Sequence, residues 1–128
     1  MMVRKLLILS VIAVVFLLGS FWIQEALENS SQELLNQLAT VMEFTSAKDW
    51  SQAEQAFRHL FENWSTLQEW WALITDHEEI DEISHSMYKI SAYLANQDLS
   101  SVQAELSALT YLIGHIPQKE RLTLTTLF

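Results

Sequence analysis

Cysteine is absent from the 128 residues. That excludes disulfides, thiolate metal sites, a cysteine nucleophile and a lipidated-cysteine anchor, and it leaves the compartment open. Proline occurs once, at Pro117, and glycine twice, at Gly19 and Gly114. A β-rich domain needs many turns built from Gly, Pro, Asn and Asp, so their scarcity points to long helices joined by few loops. Basic side chains are also scarce beyond the N-terminus. From Gln24 onward five (Lys48, Arg58, Lys89, Lys119, Arg121) face sixteen acidic ones. Such a surface repels phosphate backbones, so nucleic acid is not expected as a partner. It also repels anionic headgroups, so the acidic part is not expected to lie flat on a bilayer. No glycine-rich phosphate loop, nucleophile elbow, zinc-protease pattern or serine in a triad context occurs. Neither enzymatic activity nor a cofactor is expected.

What is present begins with an apolar run. Residues 6–23, LLILSVIAVVFLLGSFWI, carry no charge and only Ser10 and Ser20 as polar side chains. Eighteen residues rising about 1.5 Å each reach roughly 27 Å, near the thickness of a bilayer core. The run is apolar on every face, unlike the one-sided stripe of a globular helix. Arg4 and Lys5 precede it and favour a cytoplasmic residues 1–5. Trp22 stands where an interfacial aromatic belongs. The reading is a single-pass signal-anchor at the cell membrane, with the following domain extracytoplasmic. The rival is a cleaved signal peptide, but a cut after Ser20 or Ala26 would place Leu18 or Gln24 where a small residue is preferred.

Residues 24–116 read as an all-α bundle. Leu34, Leu38 and Val41 form one apolar stripe, and Ala53, Phe57, Leu60, Trp64, Leu67, Trp71 and Ile74 a second. Ile80, Ile83, Met87, Ile90 and Leu94 form a third, and Val102, Leu106, Leu109 and Ile113 a fourth. Three-four spacing makes each an amphipathic helix. The expected core includes Leu38, Phe57, Leu60, Trp64, Ile83, Met87, Ile90, Leu106 and Leu109. Ser30 with Glu33 has the form of a capping box, so a helix can restart there or run on from the anchor, since no breaker intervenes. Asp76 with Glu79 suggests a second cap and a turn near Thr75. Two αα-hairpins result, with a candidate internal duplication. Ala47-Lys48-Asp49-Trp50-Ser51 matches Asn96-Gln97-Asp98-Leu99-Ser100 at an offset of 49, and the flanking stripes match at the same offset. Pro117 is expected to close the fourth helix at Ile116. Residues 117–128 then form an apolar tail whose Leu124, Leu127 and Phe128 dock near Trp64–Trp71 or His115.

Two clusters are candidates for chemistry or binding. Asp76-His77-Glu78-Glu79-Ile80-Asp81-Glu82 is followed by His85. Helical spacing puts His77, Asp81 and His85 on one face, and Glu82 with His85 forms a Glu-x-x-His pair. Carboxylate-bridged di-metal bundles need two such pairs plus two more glutamates. This chain has one pair, so a divalent-metal bundle using His77, Asp81, Glu82 and His85 is the alternative, and a solvated helix N-terminus is the leading reading. The second cluster is Trp64, Trp70 and Trp71. Adjacent helical positions point about 100° apart, so Trp70 and Trp71 cannot face one core together. Trp64, Trp70, Trp71, Leu127 and Phe128 are the candidate protein-partner surface.

Several segments also carry a resemblance: Asp49-Trp50 with Ala53, then Trp71-Ala-Leu-Ile-Thr-Asp-His-Glu-Glu-Ile-Asp81, and His115-Ile-Pro-Gln-Lys-Glu-Arg-Leu-Thr-Leu124 before Leu127-Phe128. Together they resemble a domain-of-unknown-function family of small membrane-anchored helical proteins from Bacillus- and Clostridium-type bacteria. The resemblance implies an anchored helical domain and no reaction, substrate or cofactor. Thr126 departs from the family's Asn before the final apolar pair. The functional expectation is a non-enzymatic interaction module, anchored through 6–23, with a protein partner.

Overall fold

The computed structural model describes residues 1–127, apart from the side chains of Leu124 and Leu127. They form four helices: α1 (Met2–Ser46), α2 (Trp50–Ala72), α3 (His77–Ala95) and α4 (Leu99–Leu127). No strand occurs among the described residues. Each helix packs on two neighbours, α1 on α2 and α4, and α3 on the same two. Short turns make consecutive helices antiparallel, so the bundle is an up-and-down square with α1 and α4 side by side. The expected core positions are all buried, joined by Leu27, Leu34, Val41, Trp71, Leu94, Val102, Ile113 and Ile116.

α1 is continuous over 45 residues, about 68 Å at 1.5 Å per residue. Its apolar first half is exposed apart from half-buried Gly19 and Ser20, and among the described helices it is long and apolar enough to cross a membrane. Its second half turns Leu27, Leu34, Leu38 and Val41 into the core. The restart at Ser30 does not occur. Without glycine or proline to break the helix, the Ser30 hydroxyl donates back to the Leu27 carbonyl at 3.0 Å and accepts from Trp71 Nε1 at 3.0 Å.

The α1–α2 and α3–α4 turns are the same structure. Lys48 (φ 58°) and Gln97 (φ 53°) both adopt the left-handed conformation. Lys48 N donates to the Thr45 carbonyl at 2.9 Å and Asp49 N to Phe44 at 3.0 Å; Gln97 N and Asp98 N repeat this to Leu94 and Tyr93 at 3.0 Å each. This is the Schellman closure, which satisfies the last carbonyls of a helix. The next residue then caps the following helix: Asp49 Oδ1 accepts from Gln52 N, and Asp98 Oδ1 from Ser101 N, both at 3.3 Å. All five equivalent pairs, Phe44/Tyr93, Thr45/Leu94, Lys48/Gln97, Asp49/Asp98 and Gln52/Ser101, are 49 residues apart.

The α2–α3 turn is built differently. α2 and α3 are separate helices, with Asp76 preceding α3 but forming no side-chain cap bond. The Asp76–Glu79 capping pair therefore does not form. Thr75 Oγ1 donates to Glu79 Oε2 at 2.6 Å, and Asp76 Oδ2 instead accepts from Lys119 Nζ at 3.1 Å.

α4 corrects the expected break at Pro117, which lies inside the helix. Proline has no N–H for the carbonyl four residues back, here that of Ile113. Ser31 Oγ on α1 donates to the Ile113 carbonyl at 2.9 Å and supplies the missing bond. Two turns nearer the N-terminus, Gln24 Nε2 donates to the Pro117 carbonyl at 2.9 Å. Both polar side chains are buried. The proline is tolerated because the neighbouring helix completes its hydrogen bonding.

Candidate functional site at the proximal end of the bundle

The tryptophans divide as helical geometry requires. Trp71 is fully buried and Trp70 half-buried. Trp64 and Trp71, seven residues apart, meet edge-to-face with ring centroids 5.6 Å apart and planes at 88°. Trp64 Nε1 donates to Ser84 Oγ at 3.1 Å, and Trp71 Nε1 to Ser30. Both indoles are thus packed and hydrogen-bonded inside the bundle, as buried Trp N–H groups require. Trp64 and Trp71 belong to the core and form no docking surface, which corrects that assignment; Trp70 alone of the three keeps an accessible edge.

The acidic cluster is spread along the outside of α3. His77, Asp81, Glu82 and His85 are all exposed, and Glu78, Asp81, Glu82 and His85 border only an open depression. Among the described residues no three His, Cys, Asp or Glu side chains converge in a way that could hold a metal ion. The donors on one helical face have no partner helix opposite them to complete a coordination shell. The other two histidines are also exposed; His115 stacks on Tyr111 with centroids 5.5 Å apart.

A more informative arrangement lies where α1 leaves its apolar half. The bundle runs antiparallel, so the α2–α3 turn and the end of α4 both come down to this level. Trp71 against Ser30 places the turn beside the first buried turns of α1. On the α4 side, Arg121 forms an ion pair with Glu28. Leu17, Ser20, Phe21, Gln24, Glu25 and Glu28 of α1 enclose an open cleft of about 490 Å³ with Arg121 and Thr125 of α4. The continued α4 thus passes down α1 towards the apolar segment and away from the tryptophans. This corrects the expectation of a separate tail after Pro117. Of the residues proposed to dock there, the side chains of Leu124 and Leu127, and Phe128 altogether, lie outside the described residues.

Charges tie this end together. Lys119 Nζ lies 3.1 Å from both Asp76 Oδ2 and Glu79 Oε1, joining α4 to the start of α3. Its hydrogen bonds to Asp76 and Glu79 raise its pKa above the usual lysine value. Burial pushes the neighbouring Glu120 carboxyl up, against the opposing effects of Thr75 and Lys119. Gln24, Glu28, Ser31 and Arg121 were not among the candidates read from the sequence. A signal exists for two of them: Gln24 and Ser31 are polar and lie one heptad apart in register with Leu27, Leu34 and Leu38.

A second surface lies between α2 and α3. Glu54, Phe57, Arg58, Phe61, Tyr88, Ser91, Leu94 and Ala95 line an open groove of about 390 Å³. Phe61 stands at its centre, 6.2 Å from Phe57 and 5.8 Å edge-on from Tyr88. Tyr88 is 66% exposed.

A family model described as a domain of unknown function (DUF4363) matches residues 21–127. That match takes in the bundle half of α1 and the whole of α4, including the stretch beyond Pro117. No curated protein and no solved structure matches the chain.

Proposed function

The chain belongs to the DUF4363 family, and from that premise we propose that it is a membrane-anchored, non-enzymatic helical domain that presents a protein-binding groove at the outer face of the cell membrane. The observation that carries this reading is the unbroken α1. Its first half is apolar on all sides and exposed, while its second half is a core wall of the bundle. No hinge separates the two, so what holds the first half holds the domain. Arg4 and Lys5 before the apolar segment favour an inside N-terminus and an outside bundle.

The groove between α2 and α3 is the docking surface in this reading. Its aromatic lining supplies the anchors that interfaces favour, with Arg58 and Glu54 at its edge for orientation. The two matching turns and stripes fit an origin by duplication of one αα-hairpin. The non-catalytic assignment draws on the missing sequence motifs and on the dispersal of the titratable side chains over exposed surface.

Two measurements test the proposal. Protease added to intact protoplasts should remove the chain beyond Gln24; full protection overturns the topology. A photo-crosslinking side chain at Tyr88, within native membranes, should give a discrete protein adduct that one at Thr66, exposed on α2 outside the groove, does not. Equal labelling from both positions would remove the groove from the proposal.

A further inference from the structure

We infer that the end of α4 is a second membrane contact, seated over residues 122–126 at the boundary between the polar layer and the hydrocarbon of the outer leaflet, beside the anchor. This rests on reading residues 6–23 as the anchor, because depth is measured from it. The contacts between the two helices fix the register. Gln24 bonds to the Pro117 carbonyl, and Glu28 pairs with Arg121. One turn farther on, Thr125 shares its cleft with Leu17, Ser20 and Phe21, which are residues of the apolar run itself. That run ends at Ile23. The antiparallel α4 therefore reaches below its upper edge by about 5 Å, counting three residues at 1.5 Å each from Ile23 to Ser20.

The chemistry of the segment changes at the same level. Arg121 is the last charged side chain, and residues 122–128 read LTLTTLF. Lys119 and Arg121 fall within the polar layer, about 5–7 Å thick on each side of the hydrocarbon. Beyond them, each threonine hydroxyl is already bonded within the helix. Thr123 donates to the Lys119 carbonyl at 3.2 Å, Thr125 to Arg121 at 3.0 Å and Thr126 to Leu122 at 2.8 Å. Hydroxyls bonded this way lose little on leaving water. Ser10 inside the anchor does the same with the Leu6 carbonyl at 2.8 Å. Leu122 is 68% exposed, and Leu73, in the α2–α3 turn at the same end, 85% exposed. In water both would be solvated apolar side chains; an interfacial seat covers both. Two attachments fix the azimuth of the bundle and hence the direction in which the α2–α3 groove opens.

The chain has no cysteine, so single substitutions label cleanly. Full-length protein carrying Leu122→Cys or Thr126→Cys would be labelled with an environment-sensitive fluorophore. It would be reconstituted in phosphatidylcholine–phosphatidylglycerol vesicles, with and without brominated acyl chains. Val14→Cys in the anchor and Thr40→Cys on the exposed distal part of α1 are the references. At both α4 positions we expect quenching by brominated lipid, a blue-shifted emission and several-fold weaker iodide quenching than at Thr40→Cys. Free iodide quenching at both, with Val14→Cys still lipid-quenched, overturns the second contact and leaves the anchor standing. Iodide quenching at Val14→Cys as well overturns the anchor and this inference together. Shielding of the α4 positions from both quenchers would mean that another copy of the chain covers them, and would also overturn the inference.

Discussion

The two ends of the bundle solve the same problem in opposite ways. At the distal end, α1 turns into α2 and α3 into α4 through local backbone and cap bonds, with one side-chain bond from Gln103 to Ser46 Oγ across the hairpins, and the two turns coincide at an offset of 49 residues. At the proximal end the bonds that join the helices come from distant partners: Gln24 with Pro117, Ser31 with Ile113, Ser30 with Trp71, Lys119 with Asp76 and Glu79. Local closure needs only a few residues of the right type. Long-range closure needs the rest of the fold in place first. The distal end can therefore form early, and the proximal end reports on whether the bundle has assembled.

The largest expected effect concerns the core that the two hairpins share. Leu60 and Leu109 are equivalent at the same offset and both fully buried. Leu60→Ala and Leu109→Ala should each cost about 2–5 kcal/mol, measured by chemical unfolding of the full chain in detergent micelles. A large cost at one with a loss near zero at the other would break the equivalence of the hairpins.

Next comes the proline. Ser31→Ala should cost about 1–3 kcal/mol, because it leaves the buried Ile113 carbonyl without a donor. In a Pro117→Ala background the restored N–H supplies that donor, so the same change should cost clearly less. A double-mutant cycle measures the coupling, and strict additivity would show that Ser31 is not what lets α4 pass Pro117.

How much of this was legible follows the local–distant division. The stripes placed the core because three-four spacing is a property of each helix by itself. Asp49 and Asp98 marked the distal caps because a cap is made by neighbours. Pro117 misled because its rescue comes from Ser31, 82 residues away in sequence. Ser30 and Glu33 had the spacing of a capping box in a helix that never stops, and Asp76 gave its carboxylate to Lys119. Spacing also required Trp70 and Trp71 to part and put Trp71 on the stripe with Trp64; what it could not supply is that Ser30 receives the Trp71 indole N–H.

Smaller effects probe the distal turns. Lys48 and Gln97 occupy the left-handed position that glycine fills without strain. Lys48→Gly and Gln97→Gly should each stabilise by about 1 kcal/mol, with equal shifts in unfolding midpoint. Unequal shifts would show that the turns are alike in backbone but not in energy.

The smallest effect is pH-dependent and proximal. The Glu120 carboxyl titrates above its usual value because burial disfavours its charge. Its charged form therefore weakens the fold above the folded pKa, and that penalty vanishes below the unfolded one. Glu120→Gln should be the more stable protein at neutral pH and lose its advantage on acidification to below the usual carboxylate range. Parallel stability curves for the two proteins would show that the Glu120 carboxyl titrates alike in the folded and unfolded chain.

The unbroken α1 also sets a phase relation. Every residue between Ile23 and Leu27 contributes about 100° of rotation and 1.5 Å of height to the bundle relative to the anchor. Deleting one there would swing the aromatic groove by more than a quarter-turn and give up the Gln24–Pro117 bond, while the apolar core from Leu27 onward stays packed, as a gear slipped by one tooth keeps its shape and loses its timing. Under the proposed anchoring, the direction a surface faces along the membrane is encoded in the length of a helix.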